Sequence, residues 1–331
     1  MKKVLGIMAI MPFLFSACSK SESNEIPKPE QELVKVSFST EGFRQSVDPM
    51  STKSSTKQAA SGPVIEKGFY NGGGLINDLL LVVYNSKDEL VFTEHRNASI
   101  ISGQLSEING DFSLELPKGK YKVGVLGFTH GAAQMYFDFN YTNRMLHQFG
   151  LAMASGTGFD VEESFIRESF VYKYNDFTIN SDTVVAPLKL ERITSKLNIV
   201  MEDEIPVEAR YIMLGGALNA LIYPFQGTTD GNKYKGYVKF QIGASRVKNV
   251  TLSTPIYPTL GKEGDTNNLV ALIYDENYVL IGQKTIPNII LKSNHITTLS
   301  GKMFDYNADK TANFKATIVK EYSTDNIEGT Y

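Results

Sequence analysis

The 331-residue chain has one cysteine, no tryptophan, four histidines and no surplus of positive charge. A single cysteine excludes an intramolecular disulfide and any zinc site built on two or four thiolates. With 33 basic against 36 acidic residues, a net charge of −3, nothing in the composition suits a nucleic-acid backbone, so nucleic acid is not an expected partner. Long apolar runs are missing too. The uncharged stretch Val4 to Phe15 is interrupted by Gly6 and Pro12 and is too short for a membrane-spanning helix, which needs about 20 residues. What is present is a 42% hydrophobic fraction, enough for a real core and incompatible with disorder of the whole chain. The length corresponds to about two domains of roughly 100–200 residues each.

The one cysteine stands at residue 18, and its position gives it meaning. Lys2 and Lys3 precede the uncharged stretch, and Ser16 and Ala17 are small residues directly before Cys18. That is the layout of an export signal over residues 1–17. The segment Phe15-Ser16-Ala17-Cys18 resembles a bacterial lipobox, with Phe15 in place of the usual leucine. The resemblance implies that the Cys18 thiol is diacylated, attaching the mature chain to the outer membrane through lipid; several acyl chains make a stable anchor where one is marginal. Residues 18–31 are rich in Ser, Glu, Lys and Pro, with Ile26 as their one aliphatic side chain, and read as a flexible tether.

Beyond the tether, period-two alternation dominates. Val34-Lys35-Val36-Ser37-Phe38-Ser39 predicts a half-buried strand, followed by a polar stretch from Ser46 to Ser61. Leu79 to Tyr84 and Glu89 to Thr93 predict a hairpin around Asn85-Ser86-Lys87-Asp88. Phe112 to Leu116 and Tyr121 to Val125 predict a second one around Pro117-Lys118-Gly119-Lys120. Phe170 to Tyr174 and Phe177 to Ile179 read as a further strand pair. Lys196 to Val200, Gly236 to Ile242, Val247 to Leu252, Leu269 to Tyr274, Val279 to Gln283 and Phe314 to Val319 complete the pattern. Residues 132–150 fit a helix face and a strand equally well. Many short strands separated by turn residues predict an all-β chain of two sandwiches, residues 32–183 and 184–331.

Chemistry is sparse. There is no zinc-protease, phosphate-loop or nucleophile-elbow motif. The histidines at 95, 130, 147 and 295 lack ligand spacing. Gly72-Gly73-Gly74 precedes a strand, and Gly156-Thr157-Gly158 lacks a third glycine, so neither forms a nucleotide cradle. Asp305-Tyr306-Asn307-Ala308-Asp309 begins like a calcium loop, but Lys310 and Ala316 occupy the positions that need Gly and Glu. Glu162 and Glu163 are adjacent and diverge in any regular element. No catalytic residue, metal or cofactor is expected, and the chain does not read as an enzyme.

Four segments, in order, resemble the fimbrillin family of Bacteroidales, lipoprotein subunits of type V pili. They are Leu79 to Tyr84 with Asp88-Glu89-Leu90; Gly110-Asp111-Phe112 through Gly119-Lys120-Tyr121; Leu188-Lys189-Leu190-Glu191-Arg192 with Lys196-Leu197-Asn198-Ile199; and Ile290 through Phe304. The likeness spans about residues 32–320. It implies two tandem transthyretin-like sandwiches and a non-enzymatic role in a fimbrium, as pilus subunit or fimbria-associated adhesin. It also implies assembly with other pilus subunits by β-strand addition. A protease cut after a basic residue removes the first strand, and a strand of the next subunit fills the groove. By that resemblance the first strand is Val34, Val36 and Phe38, the cut follows Arg44 (with Lys53 and Lys57 as alternatives), and Phe314, Ala316 and Ile318 form a candidate donor strand. The chain's short end beyond Val319 points to an accessory, tip or anchor role. A host or bacterial surface ligand is a further expected partner, and the competing reading is a monomeric glycan-binding lipoprotein at the cell surface. Asp182-Thr183-Val184 resembles a short bacterial O-glycosylation sequon.

Overall fold

The computed structural model describes residues 32–41, 62–67, 76, 78–98, 100–101, 104–105, 108–128, 151–152, 169–216, 218, 221–223, 225, 228–229, 237–243, 246–256, 267–305, 314–320 and 326–330. All regular structure among them is β. The expected all-β class is therefore correct.

The organising element is a five-stranded antiparallel sheet whose centre is Gly119–Phe128. On one side of it lie Ser169–Ile179 and then Glu191–Arg192; on the other lie Asp78–Asn85 and then Leu90–Asn97. The run Leu79 to Tyr84 is buried at every position, which explains why it does not alternate. A sheet covered on both faces needs apolar residues on both. Leu79, Leu81 and Val83 enter one hydrophobic cluster with Val34, Val36, Phe38, Leu114 and Val125. Leu80, Val82 and Tyr84 enter another, together with Leu126, Phe128 and residues from Ile193 to Ala316.

The first cluster is closed by a three-stranded sheet in which Leu33–Phe38 lies between Phe112–Pro117 and Thr183–Val184. The second cluster is closed by a four-stranded sheet (Val238–Gln241, Tyr211–Gly215, Asn267–Tyr274, Leu280–Ile289) and a six-stranded sheet built around Ser195–Met201. Residues Leu33–Tyr331 form one compact unit.

The first predicted hairpin forms, with Asp78–Asn85 antiparallel to Leu90–Asn97. The second does not. Phe112–Pro117 pairs with Leu33–Phe38, whereas Gly119–Phe128 pairs with Asp78–Asn85 and Ser169–Ile179, so the chain changes sheets at Lys118. Both strands direct apolar residues into the same cluster, but from opposite layers, and the Tyr121 hydroxyl donates to the Pro117 carbonyl (2.5 Å) across the corner. Alternation reports which face is buried, not which neighbour a strand takes. Nor are Phe170 to Tyr174 and Phe177 to Ile179 two paired strands. They are one strand whose register slips between Tyr174 and Phe177.

Candidate functional site

The strand Leu33–Phe38 is built from strict alternation. Val34, Val36 and Phe38 are buried, while Leu33 and Lys35 face water. Its antiparallel neighbour carries the same pattern in register, so Val34 stands opposite Leu116, Val36 opposite Leu114 and Phe38 opposite Phe112. The Phe38 ring packs at 5.4 Å against Phe177 of the facing sheet. Burying these three side chains contributes about 5–9 kcal/mol at the usual 1.5–3 each, before ordering costs.

The other edge of the strand has a partner that the sequence did not signal. Residues 182–189 run parallel to it. Val36 and Ser37 pair with Thr183 and Val184, and Val185 N donates to Ser37 O (2.9 Å). Leu188 N donates to Ser39 O (2.8 Å), and Lys35 N donates to Asp182 Oδ1 (3.0 Å). Thr40–Glu41 then continues beside Leu188–Lys189. Both edges of the strand are thus hydrogen-bonded, and one face fills a cluster. Main-chain bonds hold the strand along both edges, and the buried alternate side chains set its register. Within Asp182-Thr183-Val184, the Thr183 hydroxyl donates to Ser181 O (2.6 Å).

Phe314, Ala316 and Ile318 are also described, and all three are buried. Phe314 and Ala316 belong to the second cluster. The strand Lys315–Lys320 pairs antiparallel with His295–Gly301 on one side and Asn326–Thr330 on the other, so here it serves its own sheet. Cys18, the tether, Arg44, Lys53, Lys57, residues 132–150, both glycine stretches and Glu162 with Glu163 lie outside the described residues.

A second feature also went unsignalled: Val64–Glu66 joins the six-stranded sheet as a parallel edge strand beside Val250–Ile256. Thr251 N donates to Pro63 O (2.9 Å), Lys67 N donates to Ser253 O (2.8 Å), and Lys196 Nζ meets Glu66 Oε1 at 2.6 Å. Three residues are too few to register as a strand by periodicity. Of the histidines, His95 Nε2 lies 2.7 Å from Asp78 Oδ1, which also accepts from Asn97 Nδ2 (2.6 Å), and His295 Nδ1 lies 2.6 Å from Ser293 O. The first ties two adjacent strands of the five-stranded sheet, and the second holds the turn entering His295–Gly301. Among the described residues no three His, Cys, Asp or Glu side chains converge on a metal position. The Tyr84 phenol is pushed up to about 12 by burial and, secondarily, by the Asp88 carboxylate; burial also raises Tyr121.

No protein-family model and no curated protein matches the chain. Solved structures do. The ones it resembles include Bacteroidales fimbrial proteins. The tip fimbrial protein Mfa3 from Porphyromonas gingivalis, solved with a C-terminal truncation, is 13% identical and aligns over 87% of this chain and 100% of its own, with a TM-score of 0.45. The fimbrial anchor protein Mfa2 from the same organism is 13% identical over 90% and 99% of the two chains, with a TM-score of 0.46. A fimbrial assembly protein from Parabacteroides distasonis is 11% identical over 90% and 99%, with a TM-score of 0.40.

Proposed function

We propose that the chain is a non-enzymatic, surface-exposed fimbrial subunit or fimbria-associated adhesin in an accessory, tip or anchor position. Before cleavage it is held to the outer membrane by lipid on Cys18, and after cleavage its body is joined to other pilus subunits by strand complementation. The observation that carries this reading is the seating of Leu33–Phe38: a short strand bonded along both edges, with Val34, Val36 and Phe38 filling a cluster. In this reading residues 32–183 and 184–331 are the two transthyretin-like sandwiches, and Arg44 is where the first strand is cut from the body. Once cut, the strand is held by noncovalent contacts alone, and an incoming strand with the same alternation replaces it. Phe314, Ala316 and Ile318 have that alternation and are the candidate donor.

Limited trypsin treatment of the mature protein, followed by N-terminal sequencing and native electrophoresis, tests this. The expected product begins at Gln45, loses the segment ending at Arg44, and forms a ladder of oligomers. An added peptide spanning Leu33 to Phe38 suppresses the ladder. A cut protein that sheds its first strand and stays monomeric, or one that never releases the strand, overturns the reading.

A further inference from the structure

Two hairpins in the molecule turn through the same hydrogen-bond pattern. In one, Asn85 N donates to Glu89 O (2.9 Å), Asp88 N donates to Asn85 O (3.1 Å), and Asn85 Oδ1 accepts from Lys87 N and Glu89 N. In the other, Asp275 N donates to Val279 O (3.0 Å), Tyr278 N donates to Asp275 O (3.3 Å), and Asp275 Oδ1 accepts from Asn277 N and Val279 N. The fourth residue of each turn adopts a left-handed backbone, with φ of 62° at Asp88 and 58° at Tyr278. Among the described residues, five non-glycine positions have positive φ; the other three are Asn249, Asn288 and Asn294. Asn and Asp tolerate that region, whereas a bulky aromatic there is an outlier and strained. Strain of this kind persists only where surrounding contacts enforce it, and it concentrates at functional positions.

The enforcing contacts are visible. The Tyr278 ring lies parallel to that of Tyr211, with centroids 4.7 Å apart and 5° between planes. Lys239 Nζ sits 4.5 Å from the centre of one ring and 4.3 Å from the other, and it donates to the Tyr278 hydroxyl. Tyr211 and Lys239 come from adjacent strands of the four-stranded sheet, on the face opposite the buried Ile212, Leu214 and Phe240. One face of the Tyr278 ring is therefore covered, yet the residue is 51% exposed. Glu276 and Asn277, both exposed, stand beside it in the same turn.

We infer that Tyr278, seated on Tyr211 and flanked by Lys239, Glu276 and Asn277, is a stacking platform for a neutral pyranose of a polysaccharide. A ring held parallel to its neighbour presents a plane and little to insert, which suits a sugar's apolar face better than a pocket in a protein. Rigid tyrosine gives large contact area at low entropic cost. The neighbouring amide, carboxylate and ammonium supply short-range donors and acceptors for hydroxyls. The site does not depend on strand exchange and is testable in the uncut monomer.

Native gels cast with soluble β-glucan, xylan or galactomannan provide the test. The uncut protein is retarded in at least one of them. Tyr278→Asn, which installs the residue type found at the other left-handed positions, weakens that retardation at least about tenfold while its melting temperature stays level or rises. Tyr278→Phe keeps the plane and binds within about threefold of the parent. No retardation in any gel overturns the inference, as does retardation that survives Tyr278→Asn. A fall in melting temperature for Tyr278→Asn without sugar binding would make the ring an internal brace. Retardation only by a polyuronate that salt abolishes, or self-association lost in the variant, would assign the surface to charge or to protein contact, and either outcome also defeats the inference. Monomeric behaviour after trypsin bears on the assembly reading alone.

Discussion

Two short strands flank the connection of residues 42–61, and they are held in opposite ways. Leu33–Phe38 has hydrogen bonds along both edges and three side chains in a cluster. Val64–Glu66 is an edge strand with Val64 and Glu66 exposed, attached by backbone bonds, the Glu66–Lys196 pair and the single half-buried Ile65 packed on the second cluster. The first is fixed mainly by the three side chains it buries, the second mainly by its edge contacts. On the proposed reading, a cut between them separates a plug from a clip. The plug is a set of apolar side chains for which another strand could substitute; the clip keeps the remaining chain tied to the six-stranded sheet.

The contrast breaks most sharply at Val36. Val36→Asp places a carboxylate opposite Leu114 in a buried cluster and is expected to cost more than about 4 kcal/mol in urea unfolding. The same change at the exposed Val64 is expected to stay within about 0.5 kcal/mol, and similar losses at both sites would erase the distinction. Gly62 is the next lever, because a Cβ there would lie 2.1 Å from the Asn249 carbonyl oxygen. Gly62→Ala forces backbone apart and is expected to cost about 1–3 kcal/mol, with faster amide exchange at 64–67 and unchanged exchange at 34–38.

The phenols ask whether the two clusters themselves differ. Tyr84, in the second, stays protonated in the fold up to a pH of about 12, whereas an unfolded tyrosine ionises near 10. Between these values the unfolded chain holds fewer protons than the folded one, so stability falls as pH rises. Tyr84→Phe is expected to remove about 1.4 kcal/mol per pH unit of that fall. Tyr121→Phe, in the first cluster, is expected to remove less, as read from unfolding midpoints at pH 9 to 12. The smallest effect is expected at the clip's ion pair. With the Lys196 side chain 9% exposed and that of Glu66 45% exposed, Glu66→Gln is expected to cost about 1 kcal/mol. Lys196→Met is expected to be near neutral, because it removes the buried charge instead of stranding it.

Where a strand buries one face, the sequence was legible: Val34, Val36 and Phe38 alternate because water lies on one side and a cluster on the other. Where a strand is buried on both faces, as at Leu79 to Tyr84, composition revealed the strand but hid that its two faces serve different clusters. Pairing was least legible. The sheet change at Lys118 and the parallel run of residues 182–189 beside the first strand depend on partners far apart in sequence, and no local period encodes them. The strained tip at Tyr278 was hidden for another reason, since nothing in Asp275-Glu276-Asn277-Tyr278 distinguishes a left-handed tyrosine from an ordinary one.

The five-stranded sheet has a mechanical consequence. Because alternate residues of Leu79–Tyr84 root in different clusters, the sheet is a party wall rather than an outer wall. Tension applied to a strand seated beside Phe112–Pro117 reaches the second cluster through side chains packed on both sides of that wall.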